Sequence, residues 1–563
     1  MTLSTRTDVA VPPALTVART LVPGPVVRRG SERAYRVLTV GPGEPHTVRG
    51  ELTGGSVWED SPHGAASRRP LIAFAHATDL QLADVQSPAR FEFCDRHVID
   101  PRYRLLVPMH RPQEALTARA ARALVDTLDA VDAGPVTGAE VALVVTTGDA
   151  IDNAQWNELR MFLALLEGGL VRPGSGGPRY EGVQGLAWGD SSYWQPDASR
   201  GDEYQRRFGY PSLPGLLEDA LVSFESAGLR HPWLACFGNH EALVQGVGRM
   251  SPVVREVLLG SRKATGPVTG LDIDALHERF VDSPEDFLVG AQREVTADAD
   301  RRAVIRADFV DAHFSALSRP TGHGFTEENR RAGTAYYSYD AGPVRFVCLD
   351  TASAAGAADG CLDRTQADWL EDRLVEVSSR HLAPDGRLVT SGNPDRLVVV
   401  LSHHGPDTMT NPRTVPGGGG PVGGAELRSQ LHRFGNVVAW INGHTHLNRV
   451  VPRADATGRT GGFWEVTTAA LVDWPCQARV LELVDNSDGT LSLVATMLDH
   501  DGLVRPAPEG PRTGAWLAGM HRELAANEPL RGFTSPRAGE PGDRNVELRL
   551  PAPFPLRDLE EAR

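Results

Sequence analysis

The sequence predicts an α/β protein. Short apolar, β-rich runs alternate with segments of helical periodicity, and several of those runs end in residues able to ligate a metal. The first run, Leu71-Ile-Ala-Phe-Ala-His-Ala, ends at Thr78-Asp79. A helix is expected near 115–133, where Ala121, Leu124, Val125, Leu128 and Val131 share one face. The continuous apolar run 141–147 ends in Gly148-Asp149, and a helix is expected at 154–166. The run 233–237 ends in Gly238-Asn239-His240-Glu241, and a strand at 344–349 ends in Asp350. A helix over 364–377 opens at Asp363 with Gln366 three residues on, the spacing of a capping box. Strands at 397–401 and 437–441 end in Ser402-His403-His404 and in Asn442-Gly443-His444-Thr445-His446, and further strands follow at 463–468, 478–484 and 491–497. Ligands of open α/β sheets bind beyond the carboxyl ends of the strands, so these polar ends are expected to converge.

Composition narrows the function. The chain has 563 residues, 41% hydrophobic and 23% charged, values that support a large core. Its 58 glycines and 41 prolines point to many loops. No apolar run approaches the ~18 residues of a membrane-spanning helix. The net charge, 57 − 72 = −15, argues against binding nucleic acid by bulk positive charge. Lysine occurs at Lys263 alone, which excludes a phosphate-binding P-loop and leaves Schiff-base chemistry little room. The five cysteines include no CxxC and are read as buried, reduced thiols. The first residues lack the apolar core of a signal peptide, so the cytoplasm is the expected location.

By organisation, 1–70 reads as a partly ordered lead-in, 71–500 as the main domain, and 501–563 as a C-terminal helix and loose tail. Long insertions occupy 170–231, with aromatics between 188 and 210, and 242–334, with a helix expected at 303–317. Segments of this length inside a domain are usually lids or inserted subdomains.

The strand ends offer Asp79 and Gln81, Asp149, Asn239 and His240, His403 and His404, and His444 and His446. Taken singly, each has a bland reading: Asp149 a turn, Gly-Asn-His-Glu a helix cap, the paired histidines surface residues. Together they form a set of oxygen and nitrogen donors without thiolate, suited to two divalent cations sharing a carboxylate. The series Asp79, Gly148-Asp149, Gly238-Asn239-His240-Glu241, His403 and Gly443-His444-Thr445-His446 resembles the calcineurin-like metallophosphoesterase superfamily, whose signature runs D-x-H, G-D, G-N-H-D/E, H, G-H-x-H. The motifs span 79–446, and the long spacers resemble an actinobacterial-type subgroup with insertions between motifs.

The resemblance implies a four-layer α/β/β/α sandwich with inserted loops or a cap. It implies that Asp79, Asp149 and His446, with Gln81, hold one metal, and that Asp149, Asn239, His403 and His444 hold the second, Asp149 bridging. His240 would stand beside the leaving group as proton donor or charge stabiliser. The implied cofactors are two divalent ions, Mn, Fe or Zn, with Mg admissible. The implied reaction is hydrolysis of a phosphate ester by in-line attack of a metal-bound hydroxide, and the aromatic-bearing insertions lean towards a small phosphodiester, with a nucleotide ester one candidate. The alternatives are a phosphomonoesterase of the same fold and a metal-binding interaction module without catalysis. The implied partner is a small-molecule phosphate ester, with no membrane and with nucleic acid disfavoured.

Three points depart from the pattern or stay open. Gln81 stands where the signature has histidine; its neutral amide oxygen is a weaker ligand and favours Mn or Mg over Zn. His76 is a remote substitute. His403 is favoured over His404 as ligand, with His404 supporting it. In the second insertion His323, Arg330 and Arg331 are expected to reach substrate, the arginines clamping phosphate, against the alternative of a solvated loop. Asp152-Asn153 read as a helix cap or a substrate contact, Asp350 as structural, and Trp464 and Trp474 as packing.

Overall fold

The computed structural model describes residues 14–54, 68–98, 100–199, 201–266, 271, 273–414 and 419–556. Its central elements, in chain order, are β1 (Thr47–Arg49), β2 (Arg69–Ala77), α1 (Thr117–Ala130), β3 (Val141–Thr146), α2 (Trp156–Glu167), β4 (Trp233–Ala235), β5 (Tyr337–Ala341) and β6 (Val344–Leu349). They continue as α3 (Arg364–Val375), β7 (Leu397–Ser402), α4 (Gly424–Leu431), β8 (Val437–Asn442), β9 (Arg449–Arg453), β10 (Phe463–Thr467), β11 (Gln477–Asp485), β12 (Thr490–Asp499), α5 (Gly514–Asn527) and β13 (Val546–Pro551). One sheet has seven strands in the order β1-β13-β12-β11-β2-β3-β4, and the other has six in the order β5-β6-β7-β8-β10-β9.

The side-chain period of two sorts the six-stranded sheet into two faces. Phe346, Cys348, Val399, Leu401 and Ile441 point into the layer between the sheets. Val347, Leu349, Val398, Val400 and Trp440 point outward onto α3 and α4, where Leu370, Leu374, Leu427 and Leu431 meet them. Phe74 of β2 meets Phe346 of β6 edge to face across the inter-sheet layer, with ring centroids 5.3 Å apart. β2 is buried on both faces from Leu71 onward, and α1, α2 and α5 cover its other side. The layers are therefore α/β/β/α, as the sequence predicts.

Chain direction positions the site. β2, β3 and β4 run parallel, as do β6, β7, β8 and β10. Their carboxyl ends lie at one rim of the sandwich, where the loops after β2, β3, β4, β7 and β8 meet.

The ends of the chain depart from the expectation. Arg19–Arg29 pairs with Ala34–Pro42 in a hairpin, and β1 pairs with β13, which adds to β12. Val546, Leu548 and Leu550 alternate with polar residues and are buried, so this Pro- and Arg-rich region supplies a sheet strand rather than a loose tail. Residues 1–13 and 557–563 lie outside the described residues. The helix expected at 303–317 is confined to Arg306–Ala312. At α3 the capping box is half formed. Asp363 accepts from the Gln366 N–H at 2.8 Å, but the Gln366 side chain turns to the backbone of Asp350. Among the described residues no helix is long and apolar enough to cross a membrane.

The insertions build two small cores. Trp194, Tyr210, Leu213 and Leu217 pack with Trp516, Met520 and Leu524 of α5, with Tyr204 against them, while Trp188 and Tyr193 are buried with Val183 in a smaller cluster. Val254, Leu258, Phe280 and Phe287 pack with Phe91, Phe93, Leu106 and Met109, which precede α1. The second core holds the 105–109 loop over the rim of the sandwich.

Candidate metal centre

Backbone strain marks the site first. Asp79, Gln81, Asp149, His444 and His446 all have φ between 41° and 65°, the left-handed region that costs a non-glycine residue about 1–3 kcal/mol. The loops leave their strands in sharp turns that aim these side chains inward. The motif glycines make room for this. A Cβ on Gly443 would lie 2.1 Å from Thr78 Oγ1 and 2.4 Å from Asp79 Oδ2, and one on Gly238 would lie 2.2 Å from Asp149 Oδ1.

The donors converge. His403 Nε2 lies 3.0 Å from Asp149 Oδ2 and 4.0 Å from Asp79 Oδ1. His446 Nε2 lies 3.2 Å from Asp79 Oδ1. Asp79, Asp149 and His403 form a buried trio whose donor atoms lie within 4.8 Å of one another. Asp79 Oδ1, Gln81 Oε1, Asn239 Oδ1 and His403 Nε2 are buried without a hydrogen-bond partner. A buried polar atom left unpaired costs about 1–3 kcal/mol, so the Gln81 and Asn239 oxygens, which line one cavity, and the close-set Asp79 and His403 atoms mark a place built for something that accepts lone pairs. Two donors about 2.0–2.2 Å from one cation lie about 3 Å apart at right angles, the spacing seen at Asp149–His403 and Asp79–His446. The residues fit divalent cations.

The supports fix which atoms face inward. His403 Nδ1 donates to the Thr147 carbonyl at 2.8 Å, and His446 Nδ1 donates to Asp473 Oδ2 at 2.7 Å, so each presents Nε2. Asp79 Oδ2 accepts from Thr78 Oγ1 at 2.8 Å and from the His444 N–H at 3.0 Å, leaving Oδ1 free. Asp149 Oδ1 accepts from the His240 N–H at 2.9 Å, leaving Oδ2 toward His403. Glu241 accepts four backbone N–H groups, from Asp149, Ala150, Ile151 and Gly238, and so ties the loop after β3 to the loop after β4.

Electrostatics follow. Burial pushes the Asp79 carboxyl up, but His446 and His403 outweigh it and hold the group below the usual range. Asp149 is likewise held well below it by His403 and His240 against burial. Burial would lower His403, yet Asp149 raises it to about 9. Burial and then His403 depress His444 to about 3, so its imidazole is neutral.

His404 belongs to the scaffold. Its Nε2 donates to the Ala358 carbonyl at 2.8 Å and its Nδ1 accepts from Thr351 Oγ1 at 2.7 Å, so neither nitrogen is left for a cation, although it packs against His444. His76 is also committed, to Thr147 and Thr468 at 2.8 Å each. His240 Nδ1 donates to the Asp152 carbonyl at 2.6 Å, and its Nε2 faces the Gln81 amide nitrogen at 3.1 Å.

Other expected residues lie elsewhere. His323 is buried, stacked on Trp233 at 3.5 Å and bonded to Glu167, at the amino end of β4 and so opposite the rim. Arg330 pairs with Asp311 and Glu327, and Arg331 shares its short exposed helix. Apolar neighbours and local ion pairs hold this stretch against the scaffold, so it is not brought to the metal centre. Neither Asp152 nor Asn153 caps α2: Asp152 pairs with buried Arg90, and Asn153 binds the Ala89 carbonyl. Asp350 pairs with Arg306. Trp464 and Trp474 pack, the latter on Phe533. Lys263 is buried against Glu92 and the Ser87 carbonyl, and all five cysteines are free and buried.

A cavity of about 180 Å³ opens beside the donors. Leu106, Val107, Pro108 and Met109 give it an apolar wall, and Arg111, Asp473 and Arg537 a polar one. Gln245 fixes the apolar wall by donating to the Met109 carbonyl at 2.9 Å. Asp473 and both arginines were outside the motif reading. The signal for Asp473 is its place beyond the carboxyl end of β10, the same rule that exposes the other strand-end residues.

No protein-family model matches the chain, and no curated protein matches it. Among solved structures, a dimetal phosphatase from Danio rerio matches with 13% sequence identity and a TM-score of 0.32, over 77% of this chain and 100% of that one.

Proposed function

We propose that the protein is a metal-dependent phosphoesterase that hydrolyses a small phosphate ester. The observation that carries the reading is the buried convergence of Asp79, Asp149 and His403, with His446 Nε2 3.2 Å from Asp79 Oδ1. In this reading Asp79, Gln81, Asp149 and His446 hold one cation, and Asp149, Asn239, His403 and His444 the other. The nitrogen and oxygen donors suit Mn, Fe or Zn, with Mg admissible. When bound, the ions supply Lewis acidity, activating water and neutralising phosphoryl charge.

The chain's own residues do the rest. Asp473 and the Thr147 carbonyl orient the His446 and His403 rings. His240, with Nδ1 donating to the Asp152 carbonyl and Nε2 beside the Gln81 amide nitrogen, would stand by the departing oxygen and carry a proton to it only as an imidazolium. The 105–109 wall limits water and the size of the group attached to phosphorus. The aromatics of 188–210 are packed in the first insertion's clusters and lend no support to a nucleotide over another small ester.

The test is Mn-supported hydrolysis of bis(p-nitrophenyl) phosphate beside p-nitrophenyl phosphate, with Asp149→Ala as control. Hydrolysis of either ester that is lost in Asp149→Ala supports the reading, and the better substrate assigns the diester or monoester class. Two bound metals with no turnover of any ester in a metabolite screen would sink it in favour of a binding module.

A further inference from the structure

We propose that Arg111 and Arg537 form a seat for an anionic oxygen group of the substrate, an inference that rests on the phosphoesterase reading. Arg111 comes from the segment before α1, and Arg537 from the segment after α5 that composition marks as a tail. They meet at Asp473: Arg111 Nε lies 2.8 Å from its Oδ1, and Arg537 Nη1 3.8 Å from its Oδ2. The same carboxylate holds His446 Nδ1 at 2.7 Å, so the arginines stand directly behind the metal-facing histidine. Both line the cavity beside His240, His444 and His446.

Asp473 faces both guanidinium groups, with Asp152 and Glu114 also acting on Arg111 and Glu528 on Arg537. The donors are not all spent. Arg111 is only 6% exposed, yet its terminal nitrogens donate to none of the described residues. Arg537 spends Nη1 on the Thr445 carbonyl at 3.1 Å, and its Nε and Nη2 donate to none of them either. These N–H groups are open to the cavity, and the planar fork of a guanidinium matches phosphoryl or carboxylate oxygens. Facing this wall, Leu106 to Met109 offer an apolar surface for the esterified group. The cavity thus suits a compact molecule with an anionic end and an apolar end.

The test binds inorganic phosphate to the Mn-loaded protein by calorimetry, with metal content measured in each sample, and measures turnover of p-nitrophenyl phosphate. Arg537→Met is expected to weaken phosphate binding and raise KM about tenfold each, with a smaller fall in kcat, and Arg537→Lys to recover part of the loss. Arg111→Met is expected to weaken phosphate in the same direction. Arg537→Gln replaces the methionine variant if that one fails to fold. Phosphate affinity equal to wild type in both arginine variants, at unchanged metal content, would overturn the seat. Absence of ester hydrolysis in wild type would count against the phosphoesterase reading alone, because phosphate binding still decides the seat.

Discussion

The Gln81 amide nitrogen lies 3.1 Å from His240 Nε2, while its Oε1 is buried without a partner among the metal-facing donors. One side chain thus serves two masters. In the proposed reading its oxygen would complete the donor set, and its N–H group meets His240 Nε2, beside the departing oxygen. Asp152 holds the other face of the ring, so Gln81 and Asp152 together fix the His240 tautomer.

Gln81→Glu separates the two roles. A carboxylate adds charge for a cation but has no N–H to give His240. Mn binding, followed by electron paramagnetic resonance, is expected to tighten about tenfold, while kcat falls by a similar factor. Equal changes in both quantities in the same direction would show that Gln81 acts through the metal alone.

Asp473→Asn is expected to weaken binding of one cation by about 10–100-fold, because the amide holds the His446 ring less firmly than a carboxylate does. Metal titration checks this, and unchanged stoichiometry and affinity would count against it. The second cation, held on the His403 side, is expected to bind as before.

Much of this site was legible in the sequence, and the reason is chain direction. Parallel strands deliver their carboxyl-end residues to one rim, so apolar runs ending in Asp79, Asp149, Asn239, His403 and His444 could be read as one constellation. Asp473 obeys the same rule after β10 but carries no recognisable motif. Arg111 and Arg537 obey no local rule: their approach depends on how the segments before α1 and after α5 fold over the rim. His323 shows the opposite error: a histidine between glycines in a long insertion is expected to reach substrate, while Trp233 and Glu167 hold it inside. β13 was obscured by its flanking prolines and arginines, although Val546, Leu548 and Leu550 alternate as a strand should.

Gly443→Ala tests the packing of the rim. The new methyl would fall on Thr78 Oγ1 and Asp79 Oδ2, so Asp79 must turn away from the donor set. The expected result is a folded protein that has lost most affinity for the cation on the Asp79 and His446 side. Loss of stability is expected to stay within about 1–3 kcal/mol, the usual cost of overpacking. Thermal melting with and without Mn reads both effects, and a variant that gains as much from Mn as wild type would refute the account.

Glu523 gives the fold a pH dependence away from the site. It lies on α5, where its Oε1 accepts from Tyr35 Oη at 3.1 Å, and the Leu38 backbone and the charge of Arg505 act on it more weakly. Burial raises its pKa to about 7, outweighing the Tyr35 hydrogen bond. The unfolded carboxyl titrates near the ordinary glutamate value, so between about pH 4.5 and 7 the folded state binds more protons than the unfolded one. Stability from this group is therefore full below that window and falls as pH rises through it. Glu523→Gln copies the protonated shape and keeps an acceptor for Tyr35. Its melting temperature is expected to equal wild type near pH 4 and to exceed it at pH 8, by an amount matching about 3 kcal/mol. Parallel melting curves for the two proteins across that range would show that Glu523 is ionised in the fold throughout.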